Sequence, residues 1–198
     1  MSLYEMESAL HGEGMKLICG VDEAGRGPLC GPVYAAAVIL PEDFRLEGLN
    51  DSKKLTEKKR EALFPVICEN AVAYGIAFAD EKEIDNLNIL QATYLAMNRA
   101  IEQLTPQPEL CLIDGNRMEG IRFPARTVIG GDAKCACIAA ASVLAKVSRD
   151  RFMLEMDKKY PEYGFAAHKG YGTKAHYAAL REYGPSPIHR MTFLKKMH

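Results

Sequence analysis

The chain has 198 residues, a formal net charge of −1 and a hydrophobic fraction of 48%, which is typical of a single globular domain that folds without disulfides. Its best apolar run, residues 35–40, is far below the roughly 18 residues of a membrane span. The first residues lack the basic and apolar regions of a secretory signal. The six cysteines lie mostly in apolar segments without zinc-ligand spacing, so we expect reduced thiols and a cytoplasmic protein.

The charge is distributed unevenly along the chain. Residues 146–198 hold 11 basic and 5 acidic side chains, a net charge of +6, whereas residues 1–145 hold 14 basic and 21 acidic ones, a net charge of −7. A basic tail on an acidic body favours contact with a polyanion such as nucleic acid. On charge alone, a solvated helical face explains the tail equally well.

The first half of the chain predicts strands with short connections. A short helix is expected over 4–10, followed by strands over 16–21, 32–40 and 71–79. The first two of these strands are separated by a short loop, which favours antiparallel pairing. Between the second and third strands, Thr56 is the expected N-cap of a helix over 56–69.

The second half predicts helices that alternate with strands. Asn88 and Gln91 have the spacing of a capping box. Behind them, apolar residues follow a helical period that ends before Pro106; they are Leu90, Tyr94, Met97, Ile101 and Leu104. Strands are expected over 109–113 and 121–128, and helices over 133–158, after Thr173 and from Ser186-Pro187. This order predicts an α/β fold with helices layered around a mixed sheet.

Four carboxylates stand where an apolar strand or a glycine turn ends. Asp22 and Glu23 follow the first strand, Asp114 follows the strand over 109–113, and Asp132 precedes the long helix. Because sites in α/β sheets form outside the strand ends, we expect these acids to meet. Taken singly, Asp22 and Asp114 are more commonly simple turn residues, and Asp132 is more commonly a helix cap.

The two adjacent acids pose a geometric problem. Neighbouring residues of a strand point to opposite faces, so Asp22 and Glu23 share a metal only if the strand ends or bulges between them. Gly25 and Gly27 make such a distortion easy. Oxygen ligands without cysteine or paired histidine favour Mg²⁺ or Mn²⁺ over zinc. Two such ions about 4 Å apart can activate water and stabilise a leaving oxygen in phosphodiester cleavage.

Basic and aromatic residues offer further contacts to a phosphodiester. The loop Gly25-Arg26-Gly27 presents an arginine between glycines, and Lys53 and Lys54 precede a helix. Both lysines are more commonly just solvated side chains. Tyr171 lies between two glycines, where an exposed ring can stack on a sugar or base. On the residues alone, a tyrosine with its ring in the core is the more common alternative.

Six segments resemble, in order, the signatures of the type 2 ribonucleases H, the bacterial ribonuclease HII family. They are Asp22-Glu23-Ala24-Gly25-Arg26-Gly27-Pro28-Leu29, Asn50-Asp51-Ser52-Lys53-Lys54-Leu55, Leu112-Ile113-Asp114-Gly115-Asn116 and the segments 131–151, 168–173 and 184–190. The resemblance covers residues from 17 to 194. Cys30, Cys135 and Cys137 depart mildly from the pattern, but they are small and put no catalytic residue in doubt.

The resemblance implies a ribonuclease H-like fold with a short N-terminal segment (1–16), a catalytic core (17–160) and a helical substrate-binding extension (161–198). It implies a monomeric endoribonuclease that hydrolyses RNA in RNA–DNA hybrids. It also implies incision of duplex DNA on the 5′ side of a single embedded ribonucleotide, leaving 3′-hydroxyl and 5′-phosphate ends. These activities serve the removal of ribonucleotides and of RNA primers.

The family pattern also implies roles for individual residues. The metal-binding acids, for two Mn²⁺ or Mg²⁺ ions, would be Asp22, Glu23, Asp114 and Asp132. The sensors of the 2′-hydroxyl and of the junction would be Gly25, Arg26 and Gly27. Tyr171 would stack on the deoxyribose that follows the ribonucleotide. The 2′-hydroxyl is the group that distinguishes RNA from DNA at a single nucleotide.

Three alternatives are compatible with parts of this pattern. A type 3 ribonuclease H shares the acids but typically carries a larger N-terminal substrate-binding domain, for which the segment before the first strand leaves no room. A catalytically inactive hybrid-binding protein does not need four clustered carboxylates, which are costly without a cation. A metal phosphatase for small phosphoesters needs neither the basic tail nor Tyr171.

Overall fold

The structure contains a five-stranded sheet with helices on both faces. It is a computed structural model, and it describes residues 3–50, 52 and 54–195. The strands are β1 Ile18–Ala24, β2 Val33–Ile39, β3 Ala73–Ala79, β4 Leu110–Asp114 and β5 Ala125–Val128. The α-helices are α1 Glu5–Gly12, α2 Glu57–Asn70, α3 Glu81–Leu87, α4 Ile89–Glu102, α5 Ala136–Lys159, α6 Phe165–His168, α7 Lys174–Tyr183 and α8 Met191–Leu194. Short 3₁₀ turns lie at Gly131–Ala133 and Pro161–Tyr163.

The sheet is mixed, as predicted, with strand order β3-β2-β1-β4-β5. β1 pairs antiparallel with β2, and β2 with β3, which confirms the expectation for the short first connection. β4 lies parallel to both β1 and β5. The last pair between β1 and β4 joins Val21 to Ile113. The pairing between these two adjacent parallel strands therefore stops at their carboxyl-terminal ends, immediately before Asp22 and Asp114.

Two helical layers cover the sheet, and small residues let them approach closely. α5 and α2 pack against one face of the sheet, to which β2 contributes the side chains of Ala36 and Val38. α4 packs against the other face, to which β2 contributes the side chains of Ala35 and Ala37. A Cβ atom at Gly20 would collide with the backbone of α5 at Cys137. The alanine-rich helix thus lies directly on the sheet backbone.

Side-chain caps fix several of the predicted helix starts. The Thr56 hydroxyl accepts the Lys59 N–H, and the Asn88 side chain accepts the N–H groups of Leu90 and Gln91. The full capping box, however, lies one helix earlier, at the start of α3, which the sequence reading missed. There Asp80 accepts the Glu83 N–H and the Glu83 carboxylate accepts the Asp80 N–H. Asn88, at φ 74°, is the single residue that separates α3 from α4.

The predicted helix from Ser186-Pro187 is wrong. Residues 184–190 form a turn instead, in which the His189 N–H donates to the Ser186 carbonyl at 3.0 Å. The Ser186 N–H and hydroxyl both contact Nδ1 of the His189 ring. The backbone of His189 also forms an isolated antiparallel β-bridge with Cys30. These tertiary contacts use the groups that a helix would need. Within residues 191–195, the last that the structure describes, the one-turn helix α8 follows.

The long helix α5 begins later than predicted and has an unexpected cap. It starts at Ala136, and Asp132 lies in the preceding 3₁₀ turn, so the helix-cap interpretation of Asp132 is wrong. The buried carboxylate of Glu7, on α1, accepts the N–H groups of Ala136 and Cys137 at 2.8 and 2.9 Å. The N-terminal helix is therefore fastened to the core through the N-terminus of α5.

Two further boundaries differ from the predictions. The expected strand over 121–128 is confined to Ala125–Val128, because Pro124 cannot donate to a ladder. The predicted helix over 4–10 is shifted to Glu5–Gly12. Within the described part of the chain, no helix is long and apolar enough to cross a membrane.

Candidate active site

Asp22 and Asp114 lie side by side at the edge of the sheet, each just beyond the last pair of β1 and β4. Both side chains point toward α5, because they alternate with Val21 and Ile113, which pack in the core on the α4 side. Asp22 is only 4% exposed, and its Oδ1 accepts the Glu23 N–H at 2.7 Å. The alternation of two parallel strands thus places two carboxylates on one face.

Asp132 joins them from the turn before α5. Asp22, Asp114 and Asp132 each offer an oxygen, and these oxygens lie within 4.8 Å of one another. The Gly131 N–H donates to Asp114 Oδ1 at 2.7 Å, which ties the turn to the strand end. A Cβ atom on Gly131 would lie 2.5 Å from Ile138 Cδ1 and 3.3 Å from Asp114 Oδ1, so a larger residue there would have to displace the end of the Ile138 side chain and would crowd the Asp114 carboxylate.

Glu23 lies on the other side of the strand. β1 continues in register with β2 through both acids, Asp22 opposite Ala36 and Glu23 opposite Ala35, so the strand neither ends nor bulges between them on that side. Its pairing with β4, however, ends at Val21, before both acids. Glu23 still lines the same cleft as Asp22, at its rim, and its Oε1 lies 3.4 Å from Arg26 Nη1. The three aspartates form the tight cluster, and Glu23 borders it.

The cluster is electrostatically suited to a cation. Burial raises the pKa of Asp22 well above its usual value, and the neighbouring carboxylates of Glu23 and Asp114 raise it further. Hydrogen bonds from the Ser142 hydroxyl and the Glu23 N–H act in the opposite direction. Several carboxylate oxygens with this mutual repulsion match the ligands of a hard divalent ion. The residues therefore fit the metal that the sequence predicts.

The loop after β1 passes very close to a buried arginine. Gly25 has φ 99°, and a Cβ atom there would collide with the side chain of Arg149. The Arg149 guanidinium is 1% exposed and donates to the carbonyls of Cys30, Pro32 and Lys169. Glycine is thus required at position 25 both by the backbone conformation and by the close approach.

A second buried arginine holds the same loop from behind. Arg190, from the C-terminal extension, is fully buried, and burial lowers its pKa to about 9. Its guanidinium donates to four carbonyl oxygens, those of Gly25, Arg26, Pro28 and Gly31. With these carbonyls turned inward, the loop faces the cleft with its other backbone groups.

Tyr171 is exposed at the mouth of the cleft, so the alternative of a ring buried in the core is wrong. Tyr171 as a whole is 48% exposed to solvent. A Cβ atom at Gly27 would lie 3.5 Å from Tyr171 Cε1, in ordinary van der Waals contact. The cleft brings together seven of the predicted site residues: Asp22, Glu23, Gly25, Arg26, Gly27, Asp114 and Tyr171.

The structure does not bring either of the two predicted lysines into the cleft among its described residues. Lys53 lies outside the described residues, and Lys54 is exposed in the turn before α2. Among the described residues of this segment, Ser52 lines the cleft, and its hydroxyl lies 2.6 Å from that of Ser142. The sequence reading missed Ser52 as a site residue.

The comparison with protein families decides the family of the chain. The family model described as Ribonuclease HII matches residues 19–196, nearly the whole chain. This chain is a member of the ribonuclease HII family. It is therefore a divalent-metal-dependent endoribonuclease that acts on RNA–DNA hybrids.

Curated relatives and solved structures agree with this membership of the ribonuclease HII family. The chain is 56% identical to a ribonuclease HII of Acetivibrio thermocellus over 98% of this chain and 75% of that protein. It is 55% identical to that of Endomicrobium trichonymphae over 97% and 92% of the two chains. The crystal structure of ribonuclease H2 from Pyrococcus horikoshii is similar with a TM-score of 0.72 and 30% identity, over 88% and 92%. The predicted ribonuclease H-like fold is thus confirmed.

Three further residues of this ribonuclease HII member line the cleft without having been predicted as site residues. Ser142, Lys146 and Arg149 all lie on α5, at spacings of four and three residues. Lys146 Nζ donates to Asp150 Oδ1 at 2.6 Å. Their helical spacing is a signal that could have found them, because residues three and four apart share one helix face.

Proposed function

We propose that this enzyme also recognises a single ribonucleotide within duplex DNA and cuts on its 5′ side, leaving 3′-hydroxyl and 5′-phosphate ends. The observation that carries the proposal is the half-exposed ring of Tyr171 beside Gly27, in the same cleft as Asp22. An exposed aromatic ring stacks well on a nucleotide. A glycine loop lets backbone groups approach a 2′-hydroxyl that a side chain would keep away.

The proposed metal ligands are Asp22, Glu23, Asp114 and Asp132, for Mn²⁺ or Mg²⁺. When bound, two divalent ions supply charge that activates water and stabilises the leaving oxygen. The chain itself orients the ligands beforehand. The Glu23 N–H fixes Asp22, and the Gly131 N–H fixes Asp114. Ligands held in this way need little rearrangement when a cation arrives.

The proposed substrate contacts surround the acids. Gly25, Arg26 and Gly27 would read the 2′-hydroxyl and the junction, and the Arg26 side chain, 50% exposed, can reach a phosphate. Lys146, which lines the cleft, can contact a phosphate in the same way. Lys53 and Lys54 remain proposed contacts of the segment before α2.

The extension over 161–198 would be the substrate-binding part of the chain, beside a core over 17–160 and the N-terminal segment 1–16. It carries Tyr171 and part of the basic tail. One chain supplies every proposed site residue, so we propose that the enzyme acts as a monomer. Its six cysteines are free thiols, which fits work in the cytoplasm on misincorporated ribonucleotides and RNA primers.

The direct test of the stacking role compares Tyr171→Ala with Tyr171→Phe. The substrates are duplex DNA with one ribonucleotide and an RNA–DNA hybrid. We expect Ala to lower kcat/KM for the embedded ribonucleotide by roughly tenfold or more, since stacking contributes about 1–3 kcal/mol per base, and Phe to retain most activity. Unchanged incision by Tyr171→Ala would refute the role.

A further inference from the structure

We infer that His176, oriented by His189, is the positioning residue that holds Tyr171 at the mouth of the cleft. The inference rests on the proposed function of Tyr171 and deepens it. His176 Nδ1 lies 2.9 Å from the Tyr171 carbonyl oxygen. His176 Nε2 lies 2.9 Å from His189 Nε2, so the two rings form a continuous chain beneath the tyrosine. The two histidines are 0% and 2% exposed.

The hydrogen-bond partners fix where each proton sits. The Ser186 N–H can only donate, and it donates to His189 Nδ1 at 2.9 Å. A neutral His189 therefore carries its proton on Nε2 and donates it to His176 Nε2. His176 in turn carries its proton on Nδ1 and donates to the Tyr171 carbonyl. The direction of the whole chain is set by one backbone N–H.

The surroundings keep both rings neutral. Burial, with smaller effects of His176 and His168, lowers the pKa of His189 to about 4, and burial together with His168 lowers the pKa of His176. The titratable groups that face the pair are His168, stacked 4.4 Å from His176, together with Cys30 and Tyr163. Neutral rings are what the donor and acceptor order above requires.

Tyr171 needs such a support because its neighbours are glycines. Gly170, with φ 86°, and Gly172 flank it, and both give the backbone unusual freedom. The Tyr171 carbonyl accepts the Thr173 N–H at 2.8 Å in addition to His176, and the Tyr171 N–H donates to the His168 carbonyl at 2.9 Å. The backbone is thus fixed from the extension while the ring faces outward.

The same cluster does not have the proton arrangement of a metal site. Cys30, His176 and His189 could each direct one atom to a common point. A cation bound by both Nε2 atoms would place a proton on His189 Nδ1, facing the Ser186 N–H at 2.9 Å. The His189 Nδ1–H and the Ser186 N–H would then face each other as two donors, and the buried Ser186 N–H would lose its acceptor. A hydrogen-bonded relay therefore accounts for the cluster better than a metal does.

The first test uses two amides that replace different atoms of the His176 ring. His176→Asn keeps a donor near the Nδ1 position, whereas His176→Gln places its amide near Nε2 and loses the donor to Tyr171. On duplex DNA with one ribonucleotide, we expect His176→Gln to lower kcat/KM by roughly tenfold or more and His176→Asn to retain most of it. Equal losses for both variants would overturn the inference.

A matched control and a double mutant separate positioning from general damage. On α1, His11 Nδ1 lies 2.8 Å from the carbonyl oxygen of Met15, a contact of the same kind away from the cleft. His11→Gln should leave kcat/KM unchanged. His176→Gln should add little to Tyr171→Ala, because it acts through Tyr171. Fully additive losses would contradict the inference.

A readout without catalysis tests the positioning even if the proposed function fails. The chain contains no tryptophan, so Tyr171→Trp introduces a single fluorescent reporter at the mouth of the cleft. In this background, His176→Gln should lower the fluorescence anisotropy and increase quenching by acrylamide, and His176→Asn should not. No difference between the two would overturn the positioning role, whereas absent incision by the unmodified enzyme would overturn only the proposed function.

Discussion

The guanidinium of Arg190 donates to the carbonyl oxygen of Gly25 at 2.6 Å, across 165 residues of sequence. The contact joins the C-terminal extension to the loop that borders the acids. Three further carbonyls of the same stretch accept from Arg190. No local sequence pattern predicts a bond between such distant residues, yet it fixes the backbone of the loop that borders the acids.

Arg190→Lys should disturb this loop, because an ammonium group cannot replace a planar fork with several fixed donors. We expect a loss of stability of about 1–3 kcal/mol from carbonyls left without a partner. We also expect roughly tenfold lower kcat/KM on duplex DNA with one ribonucleotide. Thermal unfolding and steady-state kinetics measure both. Arg122→Lys, at an exposed ion pair with Glu102, is the matched control and should change neither; equal behaviour of the two variants would count against the role of Arg190.

Asp22→Asn should abolish cleavage while making the metal-free protein more stable. The folded-state pKa of Asp22 lies above its unfolded value, so at neutral pH its ionised form opposes folding. Removing that charge stabilises the fold; each 1 kcal/mol raises Tm by about 2–4 °C in a chain of this size. The increase of Tm with added Mn²⁺ should become smaller than in the unmodified enzyme. Thermal melts with and without Mn²⁺ measure this, and an unchanged Mn²⁺ response with full activity would exclude Asp22 as a ligand.

Glu7→Ala should destabilise the core although Glu7 lies in the N-terminal helix. Its buried carboxylate caps two N–H groups of α5. Their loss should lower the free energy of unfolding by about 1–3 kcal/mol, because buried donors are left without partners. Glu57→Ala, an exposed glutamate in the first turn of α2, is the control. Urea unfolding measures both variants, and a Glu7→Ala protein as stable as the control would show that this cap does not stabilise the core.

Stability should decline as the pH falls from about 6.5 toward 4. The pKa of His189 is lowered to about 4 in the folded state, against about 6.5 when unfolded. Its contribution is therefore fully present above pH 6.5, and it is lost as the unfolded state takes up a proton that the folded state does not. Urea unfolding at pH 7 and pH 5 measures the change. His189→Gln should reduce this decline, and an identical decline in the variant would contradict the assignment.

The sequence predicted those features that depend on local patterns. The apolar spacing of α4, the caps at Thr56 and Asn88 and the mixed sheet are all found in the structure. The positions of Asp22 and Asp114 after two apolar strands led to the expectation that they meet at the sheet edge. Such features follow from the periodicity of apolar residues or from hydrogen bonds between residues close in sequence, and both can be recognised within a single segment.

The features that escaped prediction depend on contacts between distant segments. Ser186 and Pro187 have a helix-start signature, but the His189 ring takes up the Ser186 groups. Glu7 caps a helix that begins 129 residues later. Glu23 was expected to need a break in β1, yet the strand stays paired with β2 through both acids and Glu23 borders the cluster from the other face. Tertiary contacts overrode or bypassed the local pattern in each case.

The most direct test of the central claim is to map the cut in duplex DNA that carries one ribonucleotide, with Mg²⁺ or Mn²⁺ present. Strand lengths give the position of the nick, and ligation and phosphatase treatment give the chemistry of its ends. We predict a nick on the 5′ side of the ribonucleotide with 3′-hydroxyl and 5′-phosphate ends. A cut elsewhere, other end groups, or cleavage of RNA–DNA hybrids alone would contradict the account.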